Sequence, residues 1–160
     1  MRYADAVTSI SSDSADADPE AGLSGSFRLS ITPTPGDIDE LGHVSNQVYL
    51  RFILDAATRH SHAVGLDHAA YLRLGSVFVV RRQTIDYLAP TYAGEDLVVT
   101  TWIAEWSAVT SVRRTSLRRT ADGREVAKAE TLWAMVATET GRPRRIPAEV
   151  RALFARKAEA

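Results

Sequence analysis

One amphipathic helix followed by four long β-rich segments is the feature that most limits the fold of this 160-residue chain. Between residues 45 and 64, apolar side chains recur at three- and four-residue steps, which predicts a helix with one buried face. After Gly75 the sequence becomes rich in β-branched and aromatic residues, as strands are. The predicted strands cover residues 77–88, 96–106, 109–120 and 125–138. Asp122 and Gly123, between the last two segments, are typical of a β-hairpin turn.

Shorter elements complete the predicted domain. Residues 26–32 alternate polar and apolar side chains, as a half-buried strand does. A short second helix is predicted at 67–74, with Asp67 as its cap, and a terminal helix at 147–155. This order predicts an α+β fold in which a curved antiparallel sheet wraps a long central helix. We expect a single domain over residues 24–160, preceded by a disordered tail at residues 1–23, which are rich in Ser, Ala and Asp.

The composition excludes several kinds of site. The chain has no cysteine, so disulfides, thiolate nucleophiles and cysteine metal sites are ruled out. No run approaches the roughly 20 apolar residues of a membrane span, and the N-terminus lacks the basic start and apolar stretch of a secretory signal. We therefore expect a cytoplasmic protein that does not enter the membrane.

Charge is distributed unevenly along the chain. The formal net charge is -1, but residues 1–25 carry -4 and the remainder therefore carries +3. Such mild basicity suits a small anionic ligand such as a coenzyme A ester. It is too weak to indicate nucleic-acid binding.

The polar loop at residues 37–46, which leads into the long helix, contains the residues best suited to chemistry. A carboxylate just before a helix places a base or nucleophile close to backbone N–H groups that have no partner within the helix. Those groups, together with the helix dipole, can stabilise a developing oxyanion. Acyl transfer needs this combination.

The same loop resembles that of the hotdog-fold acyl thioesterases, and in particular the 4-hydroxybenzoyl-CoA thioesterase-like group. The matching residues are Asp39, Gly42-His43-Val44-Ser45-Asn46, Tyr49-Leu50-Arg51-Phe52, Ile85-Asp86-Tyr87-Leu88-Ala89-Pro90 and Gly94-Glu95-Asp96-Leu97. The resemblance covers about residues 25–150. It implies a hotdog fold, an active site at a dimer interface and an acyl chain beside the central helix.

The resemblance also implies residue roles. Asp39 is expected to be nucleophile or general base on the thioester, while amides at the start of the helix bind the carbonyl oxygen. The predicted catalytic residues are Asp39, Asn46 and His43. The predicted substrate-binding residues are Gly42, Val44, Ser45, Gln47, Tyr49, Arg81 and Arg82.

Two positions depart from the family pattern. Ser45 stands where many relatives have Asn. Glu105 and Trp106 are followed by Ser-Ala-Val-Thr, where some relatives have basic residues near the CoA nucleotide. Other arginines must then hold the nucleotide, if CoA is the donor; an acyl carrier protein is the alternative donor. The candidate arginines are Arg81, Arg82, Arg113, Arg114, Arg142, Arg144 and Arg145.

Other polar residues have competing interpretations. We expect Asp37 to organise the loop rather than to act as a second catalyst. His43 suits a hydrogen-bonding role in the loop as well as that of a base. His60, His62 and His68 are expected at the surface or in an interface, and no metal site is expected because His60 and His62 do not share a helical face.

The sequence therefore predicts a thioester hydrolase that acts on acyl-CoA or acyl carrier protein without a cofactor, coenzyme A being part of the substrate. Two alternatives remain open. A hotdog-fold hydratase or dehydratase would use His43 with Asp39 to move a proton on carbon, and a non-catalytic module would only bind the thioester. A homodimer or homotetramer is expected, because a long sheet with one helix leaves an edge that a second copy can pair with.

Overall fold

The computed structural model describes residues 24–155, and the predicted tail at residues 1–23 lies outside them. The strands are β1 (Phe27–Ile31), β2 (Ser76–Tyr87), β3 (Leu97–Trp106), β4 (Thr110–Arg119) and β5 (Glu125–Ala137). The helices are α1 (Asn46–Ala63), α2 (His68–Leu74) and α3 (Ala148–Ala155). Each element lies within two residues of its predicted bounds. The sequence analysis missed a short 3-10 helix, Pro35–Asp37.

The five strands form one antiparallel sheet in the order β1-β3-β4-β5-β2. Strands β3, β4 and β5 follow one another through hairpins, and Gly123 adopts a left-handed φ of +67° in the turn between β4 and β5. Strand β2 pairs with β5 instead of β3, so it forms the far edge of the sheet, and its other side is unpaired among residues 24–155. This arrangement confirms the predicted α+β fold class.

Helix α1 packs along the inner face of the sheet. Ser45 caps its first turn, since its Oγ accepts a hydrogen bond from the Gln47 amide at 3.3 Å. The buried side chains of α1 follow the predicted helical stripe: Val48, Tyr49, Phe52, Ile53, Ala56, Ala57 and His60. Ala56 and Ala57 are small, which lets the helix backbone lie close to the strands.

Two apolar clusters lie on either side of a polar layer. The first joins the N-terminal half of α1 to the inner face of the sheet, where Leu97, Val99 and Leu117 are fully buried. The second joins α2 and α3 to the opposite end of the sheet, around Met135 and Phe154. The layer between the clusters contains buried polar side chains, namely His60, Thr101, Arg113, Thr115 and Thr131.

Strand β2 is irregular at its centre. Val80 pairs with Trp133 and Arg82 pairs with Leu132, which leaves Arg81 opposite no single residue of β5. Such a bulge interrupts the alternation of side chains between the two faces of a sheet. Arg81 and Arg82 are therefore both exposed.

Within residues 24–155, no helix is long and apolar enough to cross a membrane.

The packing of α1 on the sheet makes a measurable prediction. The Ile53 side chain is 1% exposed in the first cluster. Ile53→Ala should lower the free energy of unfolding by about 2–5 kcal/mol, because it removes buried methylenes and leaves a cavity. Urea denaturation measures the loss, with Arg59→Ala as the exposed control on the same helix. Equal losses in the two variants would contradict this packing.

Candidate functional site

A tight hairpin carries Asp39 to the start of α1. Ile38 and Val44 form an isolated bridge, and the Asp39 amide donates to the His43 carbonyl at 3.0 Å. The Gly42 amide donates back to the Asp39 carbonyl at 3.0 Å, and Gly42 adopts a φ of +84°. Glycine adopts that backbone conformation without steric strain, so the turn itself accounts for a glycine at position 42.

A buried carboxylate fixes this hairpin to the rest of the molecule. The carboxylate of Asp37, 7% exposed, accepts hydrogen bonds from the Thr34 amide at 2.8 Å and the Thr34 hydroxyl at 2.9 Å, and it forms an ion pair with Arg51 of α1. Its carbonyl accepts the Ser45 amide at 2.9 Å. The Thr34 amide and the Arg51 guanidinium hold the pKa of Asp37 below its ordinary value. Asp37 thus has the expected loop-organising position.

Asp39 differs from Asp37 in its accessibility. Its side chain is 32% exposed, and its Oδ1 accepts the Leu41 amide at 2.8 Å. Its Oδ2 has no hydrogen-bond partner among residues 24–155. His43 Nδ1 lies 4.0 Å from Asp39 Oδ1, which is beyond hydrogen-bonding distance, and the His43 ring is 37% exposed. The hairpin therefore presents one carboxylate oxygen to solvent close to the start of the helix.

The first turn of α1, which follows the hairpin directly, leaves a backbone donor unengaged. Val48 and Tyr49 donate to the Ser45 carbonyl at 2.9 and 3.3 Å, so their amides are already engaged. The Asn46 amide has no acceptor among the described residues, and Asn46 and Gln47 are exposed. An unengaged amide at the positive end of a helix dipole is suited to bind an oxyanion.

Two residues predicted to bind substrate are buried beneath the site. The Val44 side chain is 2% exposed within the first apolar cluster, and its amide donates to the Thr91 carbonyl at 2.8 Å. Tyr49 is 3% exposed and its hydroxyl donates to Thr91 Oγ1 at 2.9 Å. Burial raises the pKa of Tyr49. Both side chains thus anchor the loop and helix to the Thr91 segment.

The candidate nucleotide-binding arginines fall into two groups. Arg113 is 3% exposed, Arg114 pairs with Glu130 at 3.3 Å, and Arg144 donates to carbonyl oxygens at the end of α2, such as that of Leu74 at 3.0 Å. These three arginines already have partners among the described residues, although Arg114 and Arg144 are exposed. The other four candidates, Arg81, Arg82, Arg142 and Arg145, are exposed and have no acidic partner in the described part of the chain.

The surface prediction for His60 is wrong. His60 is 0% exposed, and its Nδ1 lies 3.0 Å from Arg113 NH1. The sequence contained a clue, because His60 falls on the same helical stripe as Ile53 and Ala56. His62 and His68 are exposed, as expected. Among residues 24–155, no three acidic, histidine or cysteine side chains converge as metal ligands would.

The Asp37 anchor predicts a pH-dependent stability. Its lowered pKa contributes stability that is fully present above the unfolded value near pH ~4 and is lost as pH falls through the lower folded value. Asp37→Asn should lower the free energy of unfolding by roughly 1–3 kcal/mol at pH 7, and its deficit relative to wild type should shrink below pH ~4. Denaturation at pH 7, 5 and 3 tests this, with the exposed Asp55→Asn as control. A deficit that is constant with pH would contradict the assignment.

Known proteins share this architecture. A family model described as the thioesterase-like superfamily matches residues 33–154. The 1,4-dihydroxy-2-naphthoyl-CoA thioesterase Slr0204 from Synechocystis is similar with a TM-score of 0.74 at 18% identity, over 81% of this chain and 95% of that one. The hypothetical protein SAV2348 from Staphylococcus aureus, solved in complex with CoA, has a TM-score of 0.77 at 20% sequence identity, and the match covers 84% of this chain and 85% of that one. An acyl-ACP thioesterase from Bacteroides thetaiotaomicron has a TM-score of 0.71 at 21% identity, and the match covers 76% of this chain and 50% of that one. These similarities confirm the predicted hotdog fold.

Proposed function

The chain belongs to the thioesterase-like superfamily, and we propose that it hydrolyses an acyl thioester to a free acid and a thiol. The observation that supports this most directly is the placement of Asp39. Its accessible carboxylate lies on a hairpin that leads within a few residues into the exposed first turn of α1. Catalysis of acyl transfer needs such a basic group beside donors for the carbonyl oxygen.

The proposed chemistry begins at the free oxygen of Asp39. As a general base, Asp39 takes a proton from water as the water oxygen attacks the thioester carbonyl; the tetrahedral intermediate then expels the thiolate, which takes up a proton and leaves as the thiol. As a nucleophile, the carboxylate attacks the carbonyl itself, the thiolate leaves, and water then hydrolyses the mixed anhydride. Both routes give the same products and require one unengaged carboxylate oxygen.

The helix start is the proposed oxyanion site. We assign this role to the backbone amides of Asn46 and Gln47, and we assign to the Asn46 side chain the orientation of the thioester or the attacking water. The Gln47 amide donates only a long hydrogen bond, 3.3 Å to Ser45 Oγ, which an oxyanion can replace. Gly42 shapes the turn, and Val44, Ser45 and Tyr49 hold the helix start in place.

Acyl-CoA is the proposed thioester, and the exposed arginines support this choice. Arg81 and Arg82 at the β2 bulge, and Arg142 and Arg145 after β5, offer charge to the nucleotide phosphates. An acyl carrier protein is the alternative donor, since its acidic surface would meet the same arginines. Neither donor brings a cofactor into the proposed hydrolysis, and the cytoplasmic location stays a prediction.

The geometry favours hydrolysis over the hydratase alternative. A proton transfer on carbon by a His–carboxylate pair needs the two groups in contact, and His43 and Asp39 are 4.0 Å apart. A thiol-release assay over acyl-CoAs of different chain length and aryl-CoAs separates the three functions. Hydrolysis releases thiol, hydration of crotonyl-CoA consumes substrate without releasing thiol, and a binding module does neither.

Replacing Asp39 tests the proposed mechanism. Asp39→Asn and Asp39→Ala should lower kcat/KM on the best thioester by about 10²–10⁴-fold, because they remove the only proton acceptor proposed for the step. The unfolding midpoint should remain close to that of wild type. Glu40→Gln is the matched control, since it neutralises the exposed neighbouring carboxylate. Normal thiol release by Asp39→Ala would overturn the assignment.

We also propose a homodimer, with a homotetramer as the alternative. Strand β2 has 12 residues and an edge that pairs with no other described strand, and its Val80 and Tyr87 are 42% and 46% exposed. A long edge of this kind is a template for pairing with a second copy. Two β2 edges related by a two-fold axis would join the sheets of both copies.

The edge-pairing proposal predicts a change of mass in solution. Light scattering should give wild type at least twice the mass of one chain, and Val80→Lys should shift it towards the monomer, because a charge on the edge opposes pairing. Leu72→Lys, at an exposed apolar position on α2, is the control and should leave the mass unchanged. A monomeric wild type at micromolar concentration would refute the proposal.

A further inference from the structure

A cavity of about 230 Å³ lies beside the C-terminal half of α1, away from the Asp39 hairpin. It is bounded by α1, α2, α3 and the ends of β2 to β5, and its walls are largely aromatic: Tyr71, Phe78, Trp106, Trp133 and Phe154. Apolar cavities on the order of 150 Å³ accommodate benzene, so this cavity is the size of one substituted ring. Thr58 and His62 border it and are exposed, which gives the cavity a route to solvent.

A buried cation contributes to the cavity wall. Arg113 is 3% exposed, and its NH1 donates to Thr101 Oγ1 at 3.1 Å and to His60 Nδ1 at 3.0 Å. Within residues 24–155 it has no carboxylate partner, and its Nε and NH2 have no acceptor. A buried charge without a counter-charge is costly, and the carboxylate of a ligand would offset that cost.

His60 does not neutralise this charge. Burial, and secondarily the positive charge of Arg113, lower the pKa of His60 to about 3, so the ring is neutral at physiological pH. Because a guanidinium only donates, His60 Nδ1 is the acceptor and the ring proton resides on Nε2. Burial also lowers the pKa of Arg113 to about 10, which leaves it protonated. The cavity wall is therefore positively charged.

Other groups around the cavity also offer donors. Ser111 is 3% exposed and lines the cavity next to Arg113 on the same face of β4. The indole N–H of Trp133, another lining residue, is buried and has no acceptor in the described part of the chain. Phe154 covers the guanidinium, whose carbon lies 5.6 Å from the ring centre. Aromatic walls, unengaged hydrogen-bond donors and one cation together suit an anion that has an apolar body.

We propose that this cavity binds a compact carboxylate with an aromatic or short apolar body, whose carboxylate pairs with the free face of the Arg113 guanidinium. Guanidinium and carboxylate match as a two-point, charge-assisted pair, and the pairing supplies the missing counter-charge. The carboxylate has two sources: a free acid, or the distal carboxylate of a thioester acyl group. The second source rests on the proposed hydrolysis.

The distance between the cavity and the Asp39 loop affects the two possible ligand sources differently. Asn46 and Ala57, which lines the cavity, are eleven residues apart on α1, or about 16 Å along the helix axis. An aryl group attached to a thioester at the Asp39 loop of the same chain does not span that distance, so the thioester source requires the Asp39 loop of a second copy of the chain. A free acid needs no such connection.

Benzoate and benzyl alcohol test the site directly on the full-length protein. They share a ring and differ in the carboxylate, so calorimetry should find benzoate bound at least tenfold more tightly to wild type. Arg113→Met should abolish this preference, whereas Arg114→Met, which removes an exposed arginine from the opposite face of β4, should retain it. Equal binding of the two probes, or benzoate binding unchanged in Arg113→Met, would overturn the proposal.

A second variant keeps the test decisive if Arg113→Met does not fold. Thr58→Trp places a large side chain at the exposed border of the cavity and leaves the core untouched. It should lower benzoate affinity at least tenfold without changing the unfolding midpoint. Unchanged benzoate affinity in a folded Thr58→Trp protein would place the binding elsewhere and refute the site.

Paired thioesters distinguish the two sources. If the acyl group enters the cavity, wild type should hydrolyse 4-carboxybenzoyl-CoA at least tenfold better than 4-methylbenzoyl-CoA in kcat/KM, and Arg113→Met should lose that preference. If the ligand is a free acid, benzoate should bind without such a preference. Failure to release thiol from any thioester, with benzoate still bound, would reject the proposed hydrolysis and leave the cavity proposal standing.

Discussion

The burial of one face of α1 against the sheet positions everything else in this molecule. An 18-residue helix packs closely on a sheet only if its inward side chains fill the space between helix and strands. In α1 the large Phe52 and Ile53 are followed one turn later by small alanines on the same buried face. Each large side chain buried in this way contributes roughly 1.5–3 kcal/mol. Because the helix is long, its two ends reach two separate regions. The first turn meets the Asp39 hairpin, and the last turns border the aromatic cavity.

Asp37 and Asp39 show how environment separates two identical side chains that are two residues apart. The carboxylate of Asp37 is buried and saturated by Thr34 and Arg51, so it holds the loop against α1, and its lowered pKa makes it a weaker proton acceptor. The carboxylate of Asp39 is one-third exposed and keeps one oxygen unengaged among the described residues. The first residue makes the loop rigid, and a rigid loop is what allows the second to be held near the helix start.

The polar layer around Arg113 is unusual for the centre of a small fold. It separates two apolar clusters and connects them through the chain of hydrogen bonds from His60 to Arg113, Thr101 and Thr115. An apolar residue of similar length would fill the same space without the cost of desolvating a charge. The proposed carboxylate site would give this guanidinium, on the cavity wall, a role in binding.

Local structure was predictable from the sequence because its causes are local. The helical stripe of α1, the cap at Asp67 and the turn at Gly123 all depend on neighbouring residues, and each occurs as predicted. The loop motif also predicts Asp39 and the helix start as the site, and that assignment stays a prediction. The expectation that His60 lies at the surface or in an interface is wrong, although its helical spacing already placed it on the buried stripe.

Tertiary structure alone decided how distant segments meet. Strand β2 pairs with β5 and not with its sequence neighbour β3, because sheet order depends on contacts between remote segments. Alternation along β4 places Arg113 and Arg114 on opposite faces, but it does not say which face the helix covers. Only the packing of α1 buries Arg113 and leaves Arg114 exposed, and only the convergence of three helices with the sheet ends encloses the cavity. Side-chain burial is a property of the assembled layers, and no local pattern specifies it.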